Sequence, residues 1–114
     1  PEAYLAELSA RHPDFDHAGL PELIDGLGLQ PHWQKPMYML STGSKRKVWL
    51  AAAFCAGATL TLLDEPFAAL DRPSIAFALT LLENAATDPT RAWVLTDYQA
   101  PTGLPLATII DLPD

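Results

Sequence analysis

Two adjacent carboxylates, Asp64 and Glu65, directly follow a short apolar run in this chain of 114 residues. The run covers residues 59–63, carries no charge, and is typical of a buried strand in a parallel sheet. Open α/β sheets bind their ligands at the carboxyl ends of such strands, which is where this pair is placed. One carboxylate could hold Mg²⁺, which prefers oxygen ligands, and the other could act as a general base on water. A polar strand end before a turn explains the pair equally well.

A second candidate site is the small-residue loop at residues 40–44, LSTGS, which three basic residues follow at 45–47. Cations at the start of a helix oppose the partial positive charge of its N-terminus. The arrangement therefore suits a bound anion, with backbone N–H groups, Ser41 and Gly43 around a phosphate. A solvated basic face beside a loop is the alternative. The phosphate-binding pattern G-x-x-x-x-G-K-[ST] does not occur in the chain.

Hydrophobic periodicity places both candidate sites in a chain that is helical first and alternates between strand and helix later. The predicted helices cover residues 1–11, 20–27, 44–56 and 73–86, and the predicted strands cover residues 59–63, 92–96 and 107–110. The order strand, helix, strand in the second half is typical of an α/β domain. We therefore expect an α-helical subdomain over residues 1–58 and part of an α/β core over residues 59–114.

The composition restricts the classes of function open to this chain. Seven basic against fourteen acidic residues give a net charge of −7, which argues against a nucleic-acid partner bound through phosphates. The single Cys55 cannot form an intramolecular disulfide, so a reducing compartment is favoured. The longest uncharged run, residues 48–63, is shorter than the ~20 residues of a membrane-spanning helix, so we expect a soluble chain. A start at Pro1 rather than Met is consistent with a piece of a longer protein.

Together these features resemble the ATP-binding subunits of ABC transporters. Residues 40–44 look like the family's signature motif LSGGQ, and residues 59–65 look like its Walker B strand with the catalytic glutamate. Residues 68–71, AALD, look like its D-loop, and the order and spacing of all three agree. The resemblance covers essentially the whole chain, as the C-terminal half of such a subunit. Residues 96–101 look most like the compact haem-exporter ATPases of cytochrome c maturation.

The resemblance implies a fold and a set of roles. The fold would be part of a P-loop NTPase sheet of the RecA-like type, preceded by the helical subdomain. Asp64 would bind Mg²⁺, and Glu65 would be the general base on the hydrolytic water. Asp71 would couple two ATP sites across a dimer. Hydrolysis of ATP would then drive transport across a membrane.

The resemblance also implies which partners the chain needs. Ser41, Thr42, Gly43 and Ser44 would contact ATP held by a second ATP-binding subunit, in a homo- or heterodimer. Thr42 and Ser44 replace the usual glycine and glutamine of the motif. A transmembrane transporter subunit would complete the assembly, which would be cytoplasmic and peripheral on the inner face of the cell membrane. Because the P-loop is absent, we expect the 114-residue chain alone to be inactive.

One departure from the family pattern leaves other functions open. The position of the switch histidine after the second strand holds Asp97 or Tyr98, depending on how Gln99 is aligned. Neither side chain can donate from a ring nitrogen to a γ-phosphate. This favours a degenerate subunit that regulates or scaffolds an active partner, whereas the intact carboxylate pair opposes it. A soluble ABC-type ATPase of translation or repair is a third reading, although the long insertions usual in that group are not visible.

Overall fold

A computed structural model describes residues 1–113 and contains four α-helices, two 3-10 turns and two strands. In chain order these are α1 (Glu2–Arg11), α2 (Leu20–Gly26), 3-10 turns at Gln30–His32 and Met37–Met39, α3 (Thr42–Cys55), β1 (Leu60–Asp64), α4 (Arg72–Ala85) and β2 (Ala92–Thr96). The four predicted helices and the first two predicted strands are confirmed to within about two residues, the usual disagreement at element ends. None of the helices described is long and apolar enough to cross a membrane.

The helix ends follow from local chemistry. α1 ends because His12 precedes a proline and takes up extended backbone, with ψ at 99°. α2 has Pro21 in its first turn, and Gly28 just beyond its end has a φ of 66°, which glycine adopts without strain. α3 begins two residues earlier than predicted because the Ser41 side chain caps it.

The two strands pair in parallel, and α4 is the crossover between them. The register runs from Leu60 opposite Ala92 to Asp64 opposite Thr96. This arrangement of helices with a small parallel sheet is an α/β fold, as predicted. The predicted third strand at residues 107–110 is wrong, because those residues form no ladder. Apolar β-branched composition favours a strand only where a partner strand lies alongside, and none does among residues 1–113.

Within residues 1–113, helices cover one face of the sheet and leave the other exposed. Leu63 is buried and Leu95 is partly buried against α3 and α4. On the opposite face Leu60, Leu62 and Val94 are 55%, 70% and 48% exposed. The prediction that both faces of β1 are buried is therefore wrong for the part of the chain described, because both helices pack on the same side.

Two hydrophobic clusters form the core of the described residues, and α3 contributes to both. The first fills the helical half and contains Leu5, Phe15, Leu23, Leu27, Leu29, Leu40, Val48, Ala51, Ala52 and Cys55. The second lies under the sheet and contains Leu50, Leu63, Ala78 and Leu82. Cys55 is 1% exposed and packs as a small apolar residue, as predicted. Residues of α3 thus pack in both clusters. The boundary near residue 58 between a helical subdomain and an α/β core stays a prediction.

The C-terminal end of α3 is closed by Arg91. Its guanidinium donates at 2.8 to 3.1 Å to the carbonyls of Ala53, Phe54 and Ala58 and to the hydroxyl of Thr61. Its central carbon also lies 4.4 Å from the centre of the Trp93 ring. Burial lowers the pKa of this guanidinium, but an arginine stays charged because its ordinary pKa is so high. Arg91 thus satisfies carbonyls that a helix end leaves unpaired and joins α3 to both strands.

Candidate functional site

The carboxylate pair lies where β1 and β2 end side by side. Asp64 is exposed, and the Thr96 hydroxyl donates a hydrogen bond to its Oδ1. The Glu65 N–H donates to the Thr96 carbonyl at 2.9 Å and to the Thr96 Oγ1 at 3.2 Å. Parallel register makes this possible, since Thr96 is the residue opposite Asp64. Thr96 therefore holds the Asp64 carboxylate and the Glu65 backbone at once.

Glu65 starts a turn with an uncommon backbone conformation. Its φ is 45°, in the left-handed region that residues other than glycine seldom occupy. The Ala68 N–H donates to the Glu65 carbonyl at 3.1 Å and closes the turn. Arg46 of α3 donates to the same carbonyl at 2.7 Å and to the Asp64 carbonyl at 3.3 Å. The surroundings thus hold the half-buried Glu65 in a geometry that the backbone alone disfavours.

The start of α3 presents free backbone donors. The Ser41 Oγ accepts from the Ser44 N–H at 3.1 Å, and the Lys45 N–H donates to the Ser41 carbonyl at 2.9 Å. The N–H groups of Thr42 and Gly43 belong to the first turn and have no partner within the helix. A 14-residue helix that starts this way can bind an anion through those two groups.

The loop before α4 touches the start of α3. A Cβ built on Gly43 would lie 2.6 Å from the Ala69 carbonyl oxygen, so only glycine allows this approach. Ala69 itself has a φ of 63°. The structure therefore brings residues 41–44 and 68–71 together with the turn at Glu65.

Asp71 connects this loop to both helices. Its Oδ1 accepts from the Ser74 N–H at 3.0 Å as the cap of α4, and its Oδ2 accepts from the Lys47 Nζ at 3.3 Å. Hydrogen bonds from Ser74, and after them Lys47, lower the pKa of the Asp71 carboxyl. The Lys47 side chain is 15% exposed. Arg46 and Lys47 thus make internal contacts and do not form a solvated basic face.

The switch position comes directly after Thr96 in the chain. Asp97 and Tyr98 directly follow β2, and the Asp97 Oδ1 accepts from the Tyr98 N–H at 2.8 Å. Tyr98 is 92% exposed. Within residues 1–113, no hydrogen bond joins either residue to Asp64 or Glu65.

The oxygen donors at the strand ends suit a hard cation that keeps most of its water. The described residues contain no cluster of three or more His, Cys, Asp or Glu side chains that could hold a metal ion. Mg²⁺ needs no such cluster, because it is commonly bound by one or two carboxylates together with waters and phosphate oxygens. Exposed Asp64, with the hydroxyl of Thr96 beside it, offers that kind of site.

Sequence reasoning did not single out Thr96 as a site residue, and it treated Arg46 only as one of three basic residues. Thr96 could have been found by aligning the ends of the two predicted parallel strands. No sequence signal identified the contact of Arg46, because the carbonyls that it binds lie 18 and 19 residues further along the chain.

Known proteins resemble this chain in sequence. The family model described as ABC transporter matches residues 6–68. The cytochrome c biogenesis ATP-binding export protein CcmA of Pseudomonas savastanoi is 42% identical over 72 residues, which cover 63% of this chain and 34% of that protein. CcmA of Saccharophagus degradans is 33% identical over 104 residues, which cover 91% of this chain and 46% of that protein. ATP-binding cassette sub-family A member 17 of Mus musculus is 33% identical over 87 residues, which cover 76% of this chain and 5% of that protein. The chain spans less than half the length of these curated relatives.

Proposed function

This chain belongs to the ABC transporter family, and on that premise we propose that it is part of an ATP-binding subunit that hydrolyses ATP to drive transport. One observation carries the proposal: the carboxylate pair, the capped start of α3 and the loop at residues 68–71 meet in one place. Each corresponds to a motif that the family uses around ATP. The names of two relatives further suggest export in cytochrome c biogenesis as the process served.

We assign the metal to the end of β1. Asp64 is exposed there, and the Thr96 hydroxyl fixes the direction of its carboxylate. Mg²⁺ bound at this carboxylate would neutralise charge on the phosphates of ATP. Glu65 follows directly and would accept the proton of the attacking water. Thr96 of β2 and Arg46 of α3 hydrogen-bond to the Glu65 backbone. The main-chain position from which the carboxylate extends is therefore fixed.

The start of α3 would serve ATP held by a second subunit. The N–H groups of Thr42 and Gly43 and the positive end of the helix can bind a γ-phosphate. Asp71 accepts hydrogen bonds from Lys47 and Ser74. A movement of this end of α3 would therefore move Asp71 and so affect the ATP site of the second subunit. Two such chains would therefore each complete the other's ATP site.

We also propose that the chain shares the fold and the cell location of the family's ATP-binding subunits. The two strands would be part of a P-loop NTPase sheet. Residues 1–58 would form the helical subdomain of the ATP-binding subunit. The subunit would work with a transmembrane partner on the cytoplasmic face of the membrane. The 114-residue chain carries no P-loop motif, so by itself it would neither bind nor hydrolyse ATP. The intact carboxylate pair favours hydrolysis over a purely regulatory role.

The test is Mg²⁺-dependent ATP turnover by a complete subunit that contains these residues. Glu65→Gln keeps the size and removes the base, so we expect kcat to fall by about 100-fold or more. Glu83→Gln makes the same chemical change on the exposed face of α4 and should leave kcat unchanged. Turnover that survives Glu65→Gln would contradict the role of Glu65. A complete subunit that binds ATP but never hydrolyses it would favour the regulatory alternative.

A further inference from the structure

We infer that Arg46 is a positioning residue for Glu65 and ties the position of the general base to the start of α3. The inference rests on the proposed function, because it assigns a role within the same site. Arg46 is half-buried, and its Nη2 donates to the carbonyls of Glu65 at 2.7 Å and Asp64 at 3.3 Å. It is the contact through which α3 reaches the backbone of both carboxylate residues.

The contact matters because of the conformation that it holds. Glu65 has a φ of 45°, so its turn persists only where neighbouring groups support it. On the amide side, Thr96 accepts from the Glu65 N–H. On the carbonyl side, support comes from the Ala68 N–H within the turn and from Arg46 outside it. A charged donor makes a stronger bond to a carbonyl than a neutral one, so Arg46 is the stronger of these two supports.

The charge of Arg46 is directed at main-chain carbonyls and not at a carboxylate. In the part of the chain described, Arg46 forms no ion pair, although its neighbour Lys47 pairs with Asp71. Its guanidinium is instead directed at main-chain oxygens of the strand end. Arg46 lies about one turn after the residues proposed to contact ATP of the second subunit. A shift of α3 on nucleotide binding would therefore move the Glu65 carbonyl, and with it the direction of the side chain.

The experiment compares variants of the complete subunit. Arg46→Ala should lower kcat by about 10- to 100-fold, the usual cost of displacing a reacting group slightly. The KM for MgATP should change by less than about twofold, because ground-state contacts to the nucleotide remain. Arg46→Lys keeps the charge and should restore part of kcat. Arg11→Ala removes an exposed arginine of α1 and serves as the control.

Two further measurements separate positioning from a general structural effect. In a Glu65→Gln background, Arg46→Ala should cause no additional loss of turnover, because residues that act through one another are not additive. Amide hydrogen exchange should quicken over residues 64–70 in Arg46→Ala and stay unchanged over residues 1–30. If Arg46→Ala does not fold, Arg46→Lys and Arg46→Gln are compared with the wild-type subunit in the same measurements.

The outcomes distinguish this inference from the proposed function. Turnover that is lost in Glu65→Gln but unchanged in Arg46→Ala would overturn the inference alone. Losses that add in the double variant, or exchange that rises equally over the whole chain, would also overturn it. A complete wild-type subunit without turnover would overturn the proposed function, and the inference with it.

Discussion

An arginine binds main-chain carbonyls near each end of α3, and the two arginines differ in what they contribute. At each end an arginine donates to main-chain carbonyls: Arg46 at the start and Arg91 at the finish. Arg91 has four acceptors within 3.1 Å and an aromatic ring beside it, and burial lowers its pKa. Arg46 has two acceptors, and beside them lies exposed Asp64. The Arg91 end is therefore held by more hydrogen bonds, whereas the Arg46 end is held by fewer and lies next to an exposed carboxylate.

This difference separates residues that stabilise the fold from residues that perform chemistry. A polar contact with many partners contributes mainly to the free energy of unfolding. A contact with few partners at an open edge contributes less to stability and leaves room for a ligand. The Arg91 end should therefore dominate unfolding measurements, while the Arg46 end should dominate activity measurements.

The largest stability effect expected from this comparison is at Arg91. Arg91→Ala leaves several carbonyls unpaired and should lower the free energy of unfolding by about 3 kcal/mol. Arg72→Ala, on the exposed first turn of α4, should change it by less than about 0.5 kcal/mol. Urea denaturation of the complete subunit measures both. A change at Arg91 no larger than the control would remove the contrast between the two ends.

A smaller effect is expected at Thr96, and it concerns activity more than stability. Thr96→Val removes the hydroxyl beside Asp64 while keeping the shape, so the Mg²⁺ concentration for half-maximal turnover should rise about tenfold. Stability should change by about 1 kcal/mol or less, because Asp64 is exposed. Thr102→Val, in an exposed turn, is the matched control. An unchanged Mg²⁺ requirement would mean that Thr96 does not orient the metal ligand.

The smallest effect expected is a dependence of stability on pH at Asp71. Hydrogen bonds from Ser74 and from Lys47 hold the pKa of Asp71 below its usual value of 3.8. The ionised carboxylate therefore adds stability above that value, and the addition is lost as the pH falls through the lower pKa of the folded state. The Tm difference between wild type and Asp71→Asn should shrink from neutral pH to about pH 3. A Tm difference that does not change with pH would contradict this contribution of Asp71.

The sequence predicted the elements well and the contacts between them only in part. Apolar periodicity located the helices and the first two strands, and strand-end logic placed Asp64 and Glu65 at an accessible edge. Residues 107–110 failed as a strand, because strand formation depends on a neighbouring strand that local composition does not reveal. Arg46 and Thr96 were missed as site residues for a related reason. Their partners lie 18 or more residues away, so their roles depend on tertiary contacts and not on a local motif.

The backbone at Glu65 has a consequence for how this sequence can evolve. A chain selected only for stability would favour glycine at a φ of 45°, because glycine adopts that conformation without steric cost. Such a substitution would relax the turn and at the same time remove the carboxylate. Selection for a more stable fold would therefore favour glycine at this position, whereas selection for hydrolysis would keep glutamate. Sites of this kind show the trade-off between stability and activity most directly.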